Sequence, residues 1–147
     1  MCRLAALPVL AMAPTAHATG SAARETFEFH SALNDKCLAT NGDNVEVQTC
    51  HGTGNQLQLW FWEGKVLRNL AELHCLDVRS GELDAAAQAV GDCHGPANQR
   101  WTREGQWLRT EVNNQCLSIQ NYGDPSEHAG INVRNCGNVA WQFWKTV

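Results

Sequence analysis

Past residue 18 this chain has no apolar run long enough to cross a bilayer, which takes about 20 residues in a helix. It has no Lys/Arg cluster either. Eleven basic against 15 acidic residues leave a formal net charge of −4, so neither nucleic acid nor an anionic membrane surface is an expected partner. Cys-x-x-Cys is missing, and the histidines near cysteines do not fall at finger spacings, so no metal site is expected. The Gly-x-Ser-x-Gly elbow and the metalloprotease helix motif are missing too. Helix-period patterning is poor throughout.

Turn residues are plentiful. Glycine, asparagine and aspartate interrupt short apolar runs such as Val45-Glu46-Val47, Val66-Leu67 and Ile131-Asn132-Val133. That texture predicts many short strands in a closed all-β fold. The N-terminus differs. Leu4 to Ala13 is mostly apolar and follows Arg3, and Ala16-His17-Ala18 has the small-any-small form of a secretory cleavage site. Residues 1–18 therefore read as a signal peptide, and the protein as secreted. Removing them takes away Cys2 and leaves six cysteines, an even number in an exported chain. Residues 19–25, small and polar, read as a flexible tail ahead of one domain at 26–147.

One motif is written three times. Lys36-Cys37-Leu38, His74-Cys75-Leu76 and Gln115-Cys116-Leu117 open the units, and Cys50, Cys93 and Cys136 follow. Each unit closes on Gln-x-Trp: Gln58 and Trp60, Gln99 and Trp101, Gln142 and Trp144. Six cysteines allow 15 pairings. The repeat selects Cys37–Cys50, Cys75–Cys93 and Cys116–Cys136, each stabilising by about 3 kcal/mol in the chain-entropy model. The three tryptophans read as a shared core, and the glutamines as structural, their amides satisfying backbone groups that a turn leaves open. Phe29, Leu67 and Leu108 each lie eight residues before a unit's first cysteine. The chain stops at Val147 without such a strand after the third unit, so the N-terminal segment around Phe27 and Phe29 is expected to supply it. The result is a ring of three units with about twelve strands. Glu63-Gly64-Lys65 and Glu104-Gly105-Gln106 are placed for tight hairpins needing positive φ.

These openings, cysteine pairs and Gln-x-Trp closures resemble the ricin B-type lectin domain, a β-trefoil, over residues 26–147. The resemblance implies up to three shallow sugar pockets. Each would have an aspartate after Cys-Leu, a glutamine and an aromatic before the second cysteine, and an asparagine before the Gln-x-Trp glutamine. The polar groups would bond sugar hydroxyls and the aromatic would pack on the C–H face of the ring. In those four places unit one has Ala39, Glu46, Gln48 and Leu57, and unit three has Ser118, Asn132, Arg134 and Trp141. Unit two keeps Asp77 and Asn98 but has Ala89 in the glutamine place and Gly91 in the aromatic place. Asp77 and Asn98 are thus the expected sugar contacts, with Gln88, one place off, able to swing in. Tyr122 or Trp107 would stand in for the aromatic. The alternative is that Asp77 caps a turn at Ser80-Gly81 and Asn98 steadies the next loop.

Catalysis is not expected, and no cofactor is implied. His51, His74 and His94 lie beside cysteines held in disulfides, and Glu25, Glu28, Glu46 and Glu82 are scattered as solvated surface. Two functions remain. The first is a secreted lectin with weak affinity for galactose- or glucose-type glycans. The second is a non-catalytic subunit of a secreted, toxin-like protein complex, its sugar pockets degenerate. In the latter the N-terminal tail would dock on a partner's sheet.

Overall fold

The computed structural model describes residues 24–52 and 54–147. The expected signal peptide, Cys2 and residues 19–23 of the tail lie outside the described residues. Where the tail reaches Arg24, its guanidinium sits 4.7 Å from the centre of the Phe61 ring.

Among the described residues twelve strands form, in three sets of four. The chain begins with β1 (Phe29–Ser31), β2 (Cys37–Asn41), β3 (Asn44–Gln48) and β4 (Trp60–Glu63). The second set is β5 (Val66–Asn69), β6 (Cys75–Val78), β7 (Ala87–Val90) and β8 (Trp101–Glu104). The third is β9 (Trp107–Thr110), β10 (Cys116–Ile119), β11 (Ile131–Arg134) and β12 (Trp144–Thr146). A three-residue helical turn carries the closing glutamine of each unit: Gln56–Gln58, Ala97–Gln99 and Ala140–Gln142.

Six strands close a barrel. β12 pairs with β1, β4 with β5, and β8 with β9. The gaps are sealed by three equivalent backbone bonds, in which the amides of Trp60, Trp101 and Trp144 donate to the carbonyls of Phe27, Lys65 and Gln106. Phe29, His30 and Ser31 lie opposite Thr146, Lys145 and Trp144, so the N-terminal strand completes the third unit as the repeat spacing implies. The other six strands form three hairpins that cap one end. They join through Asn44 and Gln88, Ala86 and Asn132, and Glu46 and Gly130. Gly64 (φ 61°) and Gly105 (φ 60°) take the left-handed backbone of the β4–β5 and β8–β9 turns.

The core is layered in threes. Trp60, Trp101 and Trp144 are at most 1% exposed, and around them lie Phe29 with Leu67 and Leu108, Leu38 with Leu76 and Leu117, and Val47 with Ala89 and Val133. Each indole nitrogen donates to a hairpin carbonyl: Trp60 to Leu38 at 2.9 Å, Trp101 to Leu76 at 2.9 Å and Trp144 to Leu117 at 3.1 Å. The glutamines work as expected. Gln58, Gln99 and Gln142 donate to the carbonyls of Thr49, Asp92 and Asn135, each just before a second cysteine. They accept from the amides of His51, Gly95 and Gly137 just beyond it. The disulfides are Cys37–Cys50, Cys75–Cys93 and Cys116–Cys136.

Trp101→Phe leaves the Leu76 carbonyl buried without its donor and is expected to cost about 1–3 kcal/mol, read from the urea midpoint. Deleting residues through His30 removes β1 and exposes the edge of β12. The truncated chain is expected to aggregate, giving a shifted or broadened size-exclusion profile.

Candidate functional site

The three hairpins carry the pocket positions, and their cross-strand registers define which residues correspond. Ala39 faces Glu46, Asp77 faces Gln88, and Ser118 faces Asn132. Gln88, not Ala89, therefore occupies the glutamine place of unit two. Ala89 belongs to the core layer with Val47 and Val133 and is 0% exposed. The aromatic place falls on Val90, opposite Cys75, rather than on Gly91. The cause is one extra residue between β7 and Cys93, which counting back from the cysteine passes over: β3 and β11 end two residues before their cysteines, β7 three.

In unit two the three expected contacts come together. Asp77 is 4% exposed. Its Oδ1 accepts from Gln88 Nε2 at 2.9 Å, and its Oδ2 from Asn98 Nδ2 at 3.0 Å and Gln99 Nε2 at 3.2 Å. Asn98 also reaches the Val78 carbonyl at 3.3 Å, and Arg79 Nε donates to Gln88 Oε1 at 3.3 Å. Among the described residues Asp77 bonds these amides and not the Ser80-Gly81 turn. A carboxylate has about four lone-pair sites, so three amides leave roughly one for a ligand hydroxyl. Neither Tyr122 nor Trp107 serves this pocket. Trp107 donates to the Gly137 carbonyl at 3.0 Å, and Tyr122 lies against Arg134; both stand at unit three.

In unit one Glu46 is 6% exposed, a buried carboxylate rather than solvated surface. It accepts from Asn41 at 3.0 Å, from Gln48 at 3.1 Å and from His128 of unit three. Opposite it stands Ala39, so this pair offers one carboxylate and no second polar group. Glu28, also expected on the surface, is 8% exposed because β1 is enclosed between β12 and β2.

Unit three holds a cavity of about 330 Å³ lined by Ser118, Tyr122, Arg134, Asn135, Trp141 and Asp84, among others. Tyr122 is 77% exposed and backed by the Arg134 guanidinium 5.8 Å from its ring centre. Gly123 (φ 90°) lets the turn press on Trp141, where a Cβ would stand 3.0 Å from the indole. Asp84 comes from unit two. Gln115 holds it there, accepting from its backbone amide at 2.8 Å and donating to Oδ1 at 2.9 Å. Asp84 Oδ2 lies 3.7 Å from Arg134 Nη1. Sequence reading missed this cavity because its wall crosses between units. The sequence signal was the lone tyrosine beside a glycine in the β10–β11 connection.

Asp77→Ala is expected to lower folding stability by about 1–3 kcal/mol without any ligand, since the buried Gln99 amide and the half-buried Gln88 and Asn98 amides lose this acceptor. Chemical denaturation checks this.

The ricin-type beta-trefoil lectin domain matches residues 25–144 of the chain. Among solved structures, the C-half of the earthworm R-type lectin in complex with GalNAc is similar at 17% identity and a TM-score of 0.70, covering 83% of this chain and 97% of that one. The Abrus precatorius agglutinin reaches a TM-score of 0.75 at 17% identity, over 84% of this chain and 47% of its own. A mosquitocidal holotoxin gives 0.73 at 15% identity, over 84% of this chain and 17% of that one. No curated protein matches the sequence. At these identities the structural likeness concerns the fold, and it agrees with the registers, the core triads and the Gln-x-Trp geometry. The chain belongs to the ricin-type β-trefoil lectin domain family.

Proposed function

We propose that this protein is a secreted carbohydrate-binding module whose second unit receives a galactose- or glucose-type pyranoside on Asp77, Asn98 and Gln88. The observation that carries the reading is the convergence of one carboxylate and two amides from β6, β7 and the Ala97–Gln99 turn, with bonds of 2.9 and 3.0 Å. Such a set holds hydroxyls at fixed angles. With Val90 in the aromatic place there is no stacking face, so the affinity is weak. The sugar complexes known for the earthworm lectin support the substrate class.

A second reading follows from unit one, where Ala39 fills the aspartate place and Glu46 bonds Asn41, Gln48 and His128. In it the protein is a non-catalytic adaptor of a secreted complex that binds protein partners through the trefoil surface. A single weak sugar site gives no avidity by itself, and assembly with another subunit would supply it.

Titration calorimetry with methyl galactoside and methyl glucoside tests the assignment. Asp77→Ala, checked for folding, is expected to lose about 1.5–3 kcal/mol of binding, roughly a 10- to 150-fold drop. Ala39→Ser is expected to leave binding unchanged. If the Asp77 variant binds as before and Tyr122→Ala does not, the sugar sits in unit three and the unit-two assignment fails. If no sugar binds and the protein co-purifies with secreted partners, the adaptor reading replaces it.

A further inference from the structure

The first disulfide differs from the other two in what stands beside it. His30 lies opposite Cys37, where Arg68 lies opposite Cys75 and Arg109 opposite Cys116. A guanidinium has no lone pair to give a metal, whereas imidazole does. Two residues earlier the later units have Val66 and Trp107, and the first has Glu28. The Glu28 carboxylate accepts from His30 Nε2 at 3.0 Å, and the same oxygen lies 2.9 Å from Cys37 Sγ. The His30 ring nitrogens lie 3.7 and 3.8 Å from Cys50 Sγ. One ligand atom from each of the four residues falls within 4.8 Å of all the others. Burying a carboxylate against a disulfide with one imidazole as its hydrogen-bonding partner is costly unless something else compensates it.

We propose that Glu28, His30, Cys37 and Cys50 form a redox-gated site for a zinc-class divalent cation, filled when the Cys37–Cys50 bond is reduced. Zinc at about 2.0–2.3 Å from N, O and S ligands spaces them roughly 3.3–3.8 Å apart in a tetrahedron. The carboxylate, imidazole and sulfur contacts are already close to that spacing, and the two sulfurs separate once unbonded. The chemistry balances with a phosphine reductant. The S–S bond breaks and the phosphine is oxidised to its oxide. Water supplies the oxygen and the two protons that make two thiols. Entry of the cation releases both thiol protons to solvent and forms two metal–thiolate bonds, with one nitrogen from His30 and one oxygen from Glu28 completing the set. Cation and disulfide are alternatives. Each ties β2 to the loop at Cys50, but the cation also draws in β1 and the segment before it. The other two disulfides have arginines at the position of His30 and, among the described residues, form no such set.

Cobalt(II) added anaerobically to the phosphine-reduced full chain is the probe. One equivalent is expected to give tetrahedral ligand-field bands and thiolate-to-cobalt charge transfer, both lost when zinc is added. Glu28→Gln and His30→Ala are each expected to weaken cobalt binding roughly tenfold or more, while Arg68→Ala, at the matched place beside the second disulfide, leaves the titration unchanged. A second measurement needs no variant. Zinc is expected to protect Cys37 and Cys50 from alkylation in preference to Cys75, Cys93, Cys116 and Cys136, as read by peptide mapping. Octahedral spectra alone, equal labelling of all six thiols, or a titration indifferent to both substitutions overturns the proposal.

Discussion

Three buried hydrogen bonds, from the indole nitrogens of Trp60, Trp101 and Trp144 to the carbonyls of Leu38, Leu76 and Leu117, tie the barrel to its hairpin cap. Each tryptophan stands at the start of a barrel strand and reaches the first leucine of a hairpin in its own unit. The donor and acceptor are both out of reach of water, so neither has another partner if the other moves. The three indoles also fill the centre of the core, which makes the bond geometry and the packing one constraint. Units of this size cannot bury such side chains alone, and closure of all three supplies the missing walls.

The glutamines extend that constraint outward. Gln58, Gln99 and Gln142 each bridge the backbone on either side of a second cysteine, so the disulfide loop and the tryptophan strand are fixed together. Pocket residues lie just outside this frame. They sit on the cross-strand pairs that face away from the core layer, where exchange of aspartate for alanine or serine leaves the packing intact. That separation explains how three units keep one backbone while offering three different chemistries. Unit one has a carboxylate that bonds His128 of unit three, unit two a carboxylate held by amides, and unit three a cavity with exposed Tyr122 beside an Asp84–Arg134 pair.

Charge follows the same logic. Asp35 is held below the usual carboxylate range by the hydrogen bond and charge of Lys145, which links the first turn to β12. Glu111 is held low in the same way, first by Lys65 and then by Arg100, across the contact between units. Both contributions favour the folded state above the unfolded carboxylate range and fade as acid titrates the groups, so the ring is braced electrostatically at two joints near neutral pH. Their exposure to solvent keeps these braces weak beside the buried bonds.

The amino-acid sequence alone determined the repeat, the disulfide pairing, the core role of the tryptophans and glutamines, and the closure of the ring by the N-terminal strand. These were legible because they depend on spacing, and spacing is copied from unit to unit. It also singled out Asp77, Asn98 and Gln88, which the structure brings into one hydrogen-bonded cluster. Tertiary structure alone decided the register that puts Gln88 rather than Ala89 opposite Asp77, since an inserted residue can be absorbed before or after a strand and only the core layer shows which. It alone placed Asp84 beside Arg134, buried Glu28 against the first disulfide, and carried Glu46 to His128. The Asp84–Arg134 and Glu46–His128 contacts join residues far apart in the chain, and their proximity follows from how the barrel and cap close on one another.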